Sequence, residues 1–230
     1  MMKLAVLGGS FNPVHIGHLA LADAVCVEFG FDKILFVPTA EPPHKKLAPD
    51  FASAKDRLAM LRCAVEKNPR FEVSDVEIAR GGVSYTFDTL EELSKKYAGQ
   101  LSAKIALIMG SDLLAGFPLW RNAEQIARMA DLILASRQKN AISIVGAEKS
   151  LNVPSEKYAT VSDLSDDEQE NLRKNFAYPH KLLKTPILPV SSTEIRVACE
   201  RGMSWRYLVP DGVYWYIIKN KLYGVADGLR

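Results

Sequence analysis

The chain has 230 residues, 48% apolar and 24% charged, with a formal net charge of +2. This is enough chain for one well-buried core with an ordinary globular composition, and so slight a positive excess gives no ground for nucleic acid or a membrane surface as partner. Three cysteines, Cys26, Cys63 and Cys199, are odd in number and far apart, so no disulfide framework or cysteine–zinc cluster is indicated and a reducing, cytoplasmic home is expected.

In chain order, apolar runs of strand length alternate with segments of helical period. The opening run, residues 3–7, reads as a short strand that stops at Gly8-Gly9. It is too short for a signal peptide, and no later window approaches a membrane span. Residues 17–29 carry Leu19, Ala22, Val25 and Phe29 at mostly helical spacing, and Gly30 ends them. Residues 33–37 (KILFV) form a second buried strand closed by Pro38, and residues 54–67 a helix with Ser53 as its N-cap. Residues 71–76 read as a strand, 86–97 as a helix, and 104–109 (KIALIM) as a strand running into Gly110-Ser111-Asp112. Residues 122–129 are helical and 131–135 (DLILA) form another strand. Strand–helix alternation with strands apolar almost throughout predicts an α/β, Rossmann-like fold: an open parallel sheet with helices on both faces.

Residues 138–184 break this rhythm and read as an insert. Their acidic stretch at 163–170 suits a solvated helix face opened by Ser165. Residues 185–202 then predict a short strand, a serine/threonine cap and a helix ending at Gly202. An aromatic-rich helix follows from 211, completing a small C-terminal helical segment at about 192–224. Residues 1–230 are expected to form a single domain.

Ligands of an open parallel sheet bind beyond the carboxyl ends of its strands. Gly8-Gly9-Ser10-Phe11-Asn12-Pro13 lies at such an end. Glycines there let a ligand approach the backbone, whose N–H groups can hold phosphate oxygens. The helix that follows offers further N–H donors and a partial positive charge to an anion. His15 and His18, three residues apart, share one face of its first turn, and both can donate hydrogen bonds to a polyphosphate. A zinc site would need a third ligand, and His44 and His180 have no spacing partners that supply one. The stretch also lacks the Gly-Lys-Ser/Thr of a Walker A loop and the spaced glycines of a dinucleotide fingerprint.

Gly9-Ser10-Phe11-Asn12-Pro13-Val14-His15-Ile16-Gly17-His18 after a first strand resembles the leading signature of the H-x-G-H nucleotidyltransferase superfamily. Ser191-Ser192-Thr193-Glu194-Ile195-Arg196 resembles its second signature. Within the superfamily the chain is most similar to the bacterial nicotinate-nucleotide adenylyltransferase family. The matching motifs are Pro42-Pro43-His44-Lys45 after the second strand and Ser84-Tyr85-Thr86-Phe87-Asp88-Thr89-Leu90 before a helix. Gly110-Ser111-Asp112 with Phe117 and Trp120 behind it, Arg137 after the fifth strand, and Leu222-Tyr223 complete the set.

That resemblance implies transfer of the adenylyl group of ATP to nicotinate mononucleotide, with Mg²⁺ carried mainly by the ATP phosphates and no dedicated metal ligands in the protein. It implies His15, His18 and Arg196 as catalytic groups. Gly8, Gly9, Ser10, Phe11, Gly17, Gly110, Asp112, Ser192 and Thr193 would bind ATP, Gly17 by leaving room for the nucleotide. Asn12, His44, Lys45, Tyr85, Thr86, Trp120 and Arg137 would bind nicotinate mononucleotide. The partners are therefore small molecules, with neither nucleic acid nor membrane. His15-Ile16-Gly17-His18 also spells the first signature of class I aminoacyl-tRNA synthetases, but their lysine-rich second signature is missing. The alternatives kept open are another phosphate acceptor, nicotinamide mononucleotide or phosphopantetheine, and a non-catalytic nucleotide-binding module, against which the intact His15, His18 and Arg196 argue.

Overall fold

Strands apolar almost throughout need cover on both faces, and the computed structural model, which describes residues 1–43, 51–135, 174–186 and 188–225, provides it. Six strands run in parallel in the order β3-β2-β1-β4-β5-β6. They are β1 (Leu4–Gly9), β2 (Lys33–Pro38), β3 (Phe71–Val73), β4 (Ala106–Gly110), β5 (Asp131–Ala135) and β6 (His180–Leu182). The helices are α1 (Ile16–Phe29), α2 (Ala54–Val65), α3 (Val76–Arg80), α4 (Thr86–Lys96), α5 (Ala123–Met129), α6 (Ser192–Glu200) and α7 (Asp211–Lys219).

Strand side chains alternate between two cores. Ala5, Leu7, Ile34, Phe36, Ile108 and Ile133 face one core, closed by Val25 of α1, Met60 and Leu61 of α2, Ile195 of α6 and Ile217 of α7. Leu4, Val6, Leu35, Val37, Leu107 and Leu132 face the other, closed by Leu90 and Leu93 of α4 and Ile126 of α5. The helix punctuation follows local chemistry. The Ser53 hydroxyl accepts from the Asp56 N–H at 3.1 Å at the head of α2. Gly30 ends α1 at φ +67°, a left-handed conformation that glycine adopts without a Cβ clash. None of the described helices is long and apolar enough to cross a membrane.

Two predicted strands are corrected. The run at 71–76 pairs with β2 only through Val73; Val76 instead opens α3, with its N–H directed to the Ser74 hydroxyl at 3.4 Å. The strand expected after residue 185 lies earlier, at His180–Leu182, parallel to β5. The Leu183 N–H still donates to the Leu134 carbonyl at 2.8 Å; beyond it, Pro186 and Pro189 lack the N–H that a ladder needs. The acidic stretch at 163–170, like residues 136–173 generally, lies outside the described residues.

Glu28, near the end of α1, fastens this connection. Its carboxylate accepts from the Lys184 N–H at 3.0 Å, the Thr185 N–H at 3.3 Å and the Thr185 hydroxyl at 3.1 Å. The Lys184 backbone hydrogen bond, above all, holds the Glu28 carboxyl below the usual glutamate range. A carboxyl depressed on folding stabilises the native state above its unfolded pKa, and that contribution fades as pH falls through the folded value. Glu28→Gln is therefore expected to flatten the loss of stability on acidification below the ordinary glutamate pKa of about 4.3, followed by urea unfolding at stepped pH. An acid limb identical to that of the unaltered chain would remove Glu28 from it.

Candidate active site

β1 has β2 on one side and β4 on the other, so the chain leaves β1 in one direction and later returns in the opposite one. The crevice beyond such a switch, here between the ends at Gly9 and Gly110, is where an open α/β sheet holds a ligand. The loop after β1 occupies it. Phe11 lies at φ +47°, and the Asn12–Pro13 peptide is cis.

Three carbonyls of this loop are tied down by three distant side chains. Arg57 Nη1 donates to the Ser10 carbonyl at 2.9 Å, Arg196 Nη1 to Asn12 at 2.8 Å, and the Ser192 hydroxyl to Pro13 at 2.8 Å. In a trans peptide the N–H points opposite the C=O. Engaging the Ser10 and Pro13 carbonyls therefore turns the next N–H groups, those of Phe11 and Val14, the other way. The Asn12 side chain is buried too, its Oδ1 accepting from the Ala52 N–H at 3.0 Å and the Tyr223 hydroxyl at 2.8 Å.

The loop ends at His15, which precedes α1 in extended conformation, with His18 one turn on. The two imidazoles stack, centroids 3.7 Å apart at 24°. The His15 N–H donates to His18 Nδ1 at 3.3 Å. With Nδ1 accepting, the neutral His18 ring carries its proton on Nε2, which makes that edge a donor. The Phe11 ring is buried beneath, edge-on to His18 at 5.0 Å, so it supports the imidazole. Gly17 has a more specific reason than nucleotide clearance. A Cβ there would stand 3.0 Å from His15 Nδ1 and 3.2 Å from the Leu188 carbonyl, so glycine makes room for the His15 ring.

Arg57 is a functional residue that sequence reasoning missed. It is 1% exposed, and besides Ser10 it donates to the carbonyls of Ala52 at 3.2 Å and Ala40 at 3.5 Å. Its guanidinium also lies over the Phe51 ring at 4.9 Å. Burial pulls its pKa below the usual arginine value, yet a guanidinium stays charged. The signal was available: Arg57 sits on the apolar stripe of α2, three and four residues before the buried Met60 and Leu61. A lone charge on a buried stripe asks for polar partners.

At the end of β4, any Cβ at Gly110 would overlap the Asp112 carboxylate, which folds back across it. Ser192 and the exposed Thr193 open α6 beside the loop. Gly8 and Ser10 are exposed at the β1 end. Tyr85 and Thr86 stand at the start of α4. They are anchored to the exit of β2 through the Ser84 N–H to Glu41 carbonyl bond at 2.8 Å and the Ala40 N–H to Ser84 hydroxyl bond at 3.0 Å. That exit adjoins β1 through the Thr39 N–H to the Gly9 carbonyl, 2.9 Å. Arg121, also missed, lies over the Tyr85 ring at 4.8 Å and pairs with Asp88 at 3.0 Å. Trp120 is half-buried against Phe117, 5.2 Å between ring centroids. His44, Lys45 and Arg137 lie outside the described residues.

Among the described residues, no three His, Cys, Asp or Glu side chains gather as a metal-holding group. Nor is there an activated thiol. The cysteines are free, and burial raises all three, Cys199 to about 12. The site is rich in donors and cations and poor in nucleophiles, which suits binding and reaction of a polyanion.

Comparison with known proteins gives the chain's family and fold. The cytidylyltransferase-like family model matches residues 6–198. A protein of Treponema pallidum named "Probable nicotinate-nucleotide adenylyltransferase" is 38% identical over 222 residues, 96% of this chain and 99% of its own length. A Synechococcus protein of the same name is 37% identical over 96% of both chains. The fold matches that of Plasmodium falciparum nicotinic acid mononucleotide adenylyltransferase complexed with NaAD, with a TM-score of 0.71 at 18% identity, over 98% of this chain and 99% of that one.

The Gly17 geometry is testable. Gly17→Ala should displace the His15 ring by a few tenths of an ångström and lower kcat about tenfold, with little change in Tm. An unchanged kcat in steady-state assays would mean that the ring and the Leu188 carbonyl accommodate a methyl group freely.

Proposed function

The chain belongs to the cytidylyltransferase-like family and, within it, to the nicotinate-nucleotide adenylyltransferases, and from that premise we propose that it joins ATP to nicotinate mononucleotide in NAD biosynthesis. The products are nicotinate adenine dinucleotide and pyrophosphate. The observation that carries this reading is the loop after β1, its carbonyls held by Arg57, Arg196 and Ser192, leading to the stacked His15 and His18.

In the reaction, a phosphate oxygen of the mononucleotide attacks the α-phosphorus of ATP in line. A new P–O bond forms as the bond to the bridging oxygen breaks, and pyrophosphate leaves with that oxygen. The attacking oxygen is already ionised at neutral pH, so no general base is required. Catalysis then reduces to alignment and stabilisation of charge, which fits a site of donors without a nucleophile.

The position of the described residues supports the roles that follow, and those of His44, Lys45 and Arg137 rest on the family resemblance. His18 Nε2–H is the donor for charge developing at the α-phosphate, with His15 stacked behind it. Gly8, Gly9 and Ser10 keep the backbone open to the ATP phosphates, Gly17 makes room for the His15 ring, Phe11 supports His18, and the start of α6 with Ser192, Thr193 and Arg196 faces the β- and γ-phosphates. Gly110 and Asp112 receive the ribose hydroxyls. Asn12, His44 and Lys45 meet the mononucleotide phosphate, while Tyr85, Thr86, Trp120 and Arg137 form the nicotinate end. A ring carboxylate calls for donors, and the first N–H groups of α4 are such donors.

A divalent metal accompanies ATP in enzymes of this kind, and Mg²⁺ is the ion proposed here. The donor set just described is imidazole, guanidinium and N–H, whereas Mg²⁺ takes oxygen ligands. It therefore fits as an ion held by phosphates and water, lowering the charge on the leaving pyrophosphate. Widely separated free thiols accord with a cytoplasmic location.

Pyrophosphate release measured with ATP, Mg²⁺ and one acceptor at a time should be fastest with nicotinate mononucleotide. Equal or faster turnover with nicotinamide mononucleotide or phosphopantetheine would overturn the acceptor, and none with any would favour a binding module. His18→Ala should lower kcat by about 10² or more; an unaltered kcat would remove His18 from the chemistry.

A further inference from the structure

Resting on the reading above, we propose that Tyr223 is a positioning residue for the active site: its hydroxyl locks the Asn12 carboxamide so that Nδ2–H is presented to a substrate phosphate oxygen. Asn12 is 2% exposed, in the loop at the β1 end of the crevice. Its Oδ1 accepts from the Ala52 N–H at 3.0 Å and from the Tyr223 hydroxyl at 2.8 Å. A backbone N–H can only donate, so the Ala52 contact identifies the oxygen end of the amide and, with it, the nitrogen end.

That nitrogen is buried and has no hydrogen-bond partner among the described residues. A buried donor left unsatisfied is costly, and native structures keep few of them. The carbonyls of Ser10, Asn12 and Pro13 are already engaged by Arg57, Arg196 and Ser192. The acceptor still to come is therefore a ligand's. With guanidinium and imidazole groups on the same loop, an anionic oxygen fits best, and a phosphate supplies one.

Tyr223 is held at some expense. Its φ of +59° lies in the left-handed region, as does that of Lys221 at +50°. Bulky residues rarely adopt that conformation unless the surroundings impose it. The ring is buried, and burial pushes the phenol well above the usual tyrosine range, so the hydroxyl remains a donor at any working pH. With both acceptor positions of Oδ1 filled, the amide cannot rotate. Removing the hydroxyl leaves one contact and a looser side chain. A turn near the end of the chain thus reaches back 211 residues to orient a donor in the first loop.

The test compares Tyr223→Phe, Asn12→Ala and the double variant in kcat/KM for each substrate, in calorimetric binding of ATP·Mg²⁺ and of nicotinate mononucleotide, and in Tm. Tyr223→Phe should lower kcat/KM about five- to thirtyfold, the worth of one buried hydrogen bond. The double variant should be no worse than Asn12→Ala alone, because the two act as a unit. The substrate whose binding weakens identifies the phosphate. Asn12→Asp, which keeps Oδ1 but loses the donor, replaces Asn12→Ala if that variant does not fold, with the same pattern expected. Tyr223→Phe with kcat/KM within twofold of the unaltered chain overturns the proposal, whatever its Tm, as do independent effects in the double variant. If the unaltered chain does not turn over nicotinate mononucleotide, the substrate reading fails instead. The binding titrations then decide, and unchanged affinity for both ligands in Tyr223→Phe overturns the role of Tyr223.

Discussion

The architecture of the site depends on three carbonyl oxygens, those of Ser10, Asn12 and Pro13, each held by a side chain from elsewhere in the chain. A glycine-containing loop left to itself would sample many conformations, and ordering it costs entropy. Arg57, Arg196 and Ser192 oppose that cost with charge-assisted and neutral hydrogen bonds. The same bonds turn the Phe11 and Val14 N–H groups away from the clamps. A polyanion then meets a surface already arranged for it, so little reorganisation remains to be done during the reaction.

Arg57 is the most deeply buried of the three. Its guanidinium is almost wholly out of water, and no carboxylate lies within ion-pair distance of it among the described residues. Such a charge is tolerated because the carbonyls of Ala52, Ser10 and Ala40 solvate it in place of water. It joins the loop after β1 to the exit of β2, where Ser84 anchors the start of α4. The loop after β1 and the start of α4 are therefore connected through one buried cation.

The second signature reaches the first by way of the sheet edge. β6 extends the parallel sheet beyond β5, and Glu28 of α1 fastens the chain just after it. From there the proline-containing stretch leads to α6, where Ser192 and Arg196 meet the loop. Tyr223 closes the arrangement from beyond α7. Three separated regions, at 52–57, 192–196 and 223, thus converge on residues 10–13, while the two apolar cores on either face of the sheet provide a rigid support.

Much of this was legible in the chain itself. Strand and helix boundaries came close wherever apolar period and caps agreed, as at Ser53 and Gly30. The strand at 71–76 ended early at Val73 and the one expected after 185 was misplaced, where a serine-led turn or proline outweighed an apolar run. His15, His18 and Arg196 could be singled out from spacing and resemblance because short-range patterns encode the first turn of a helix. What a local pattern does not encode is which distant group satisfies a given polar atom. That Arg57 would serve Ser10, that Gly17 would make room for His15, and that Tyr223 would bind Asn12 are decided only when segments far apart in sequence are packed together. Periodicity and motifs determined the sheet and pointed to the candidate groups; burial of polar atoms in the folded chain, each requiring a partner, determined how those groups are held.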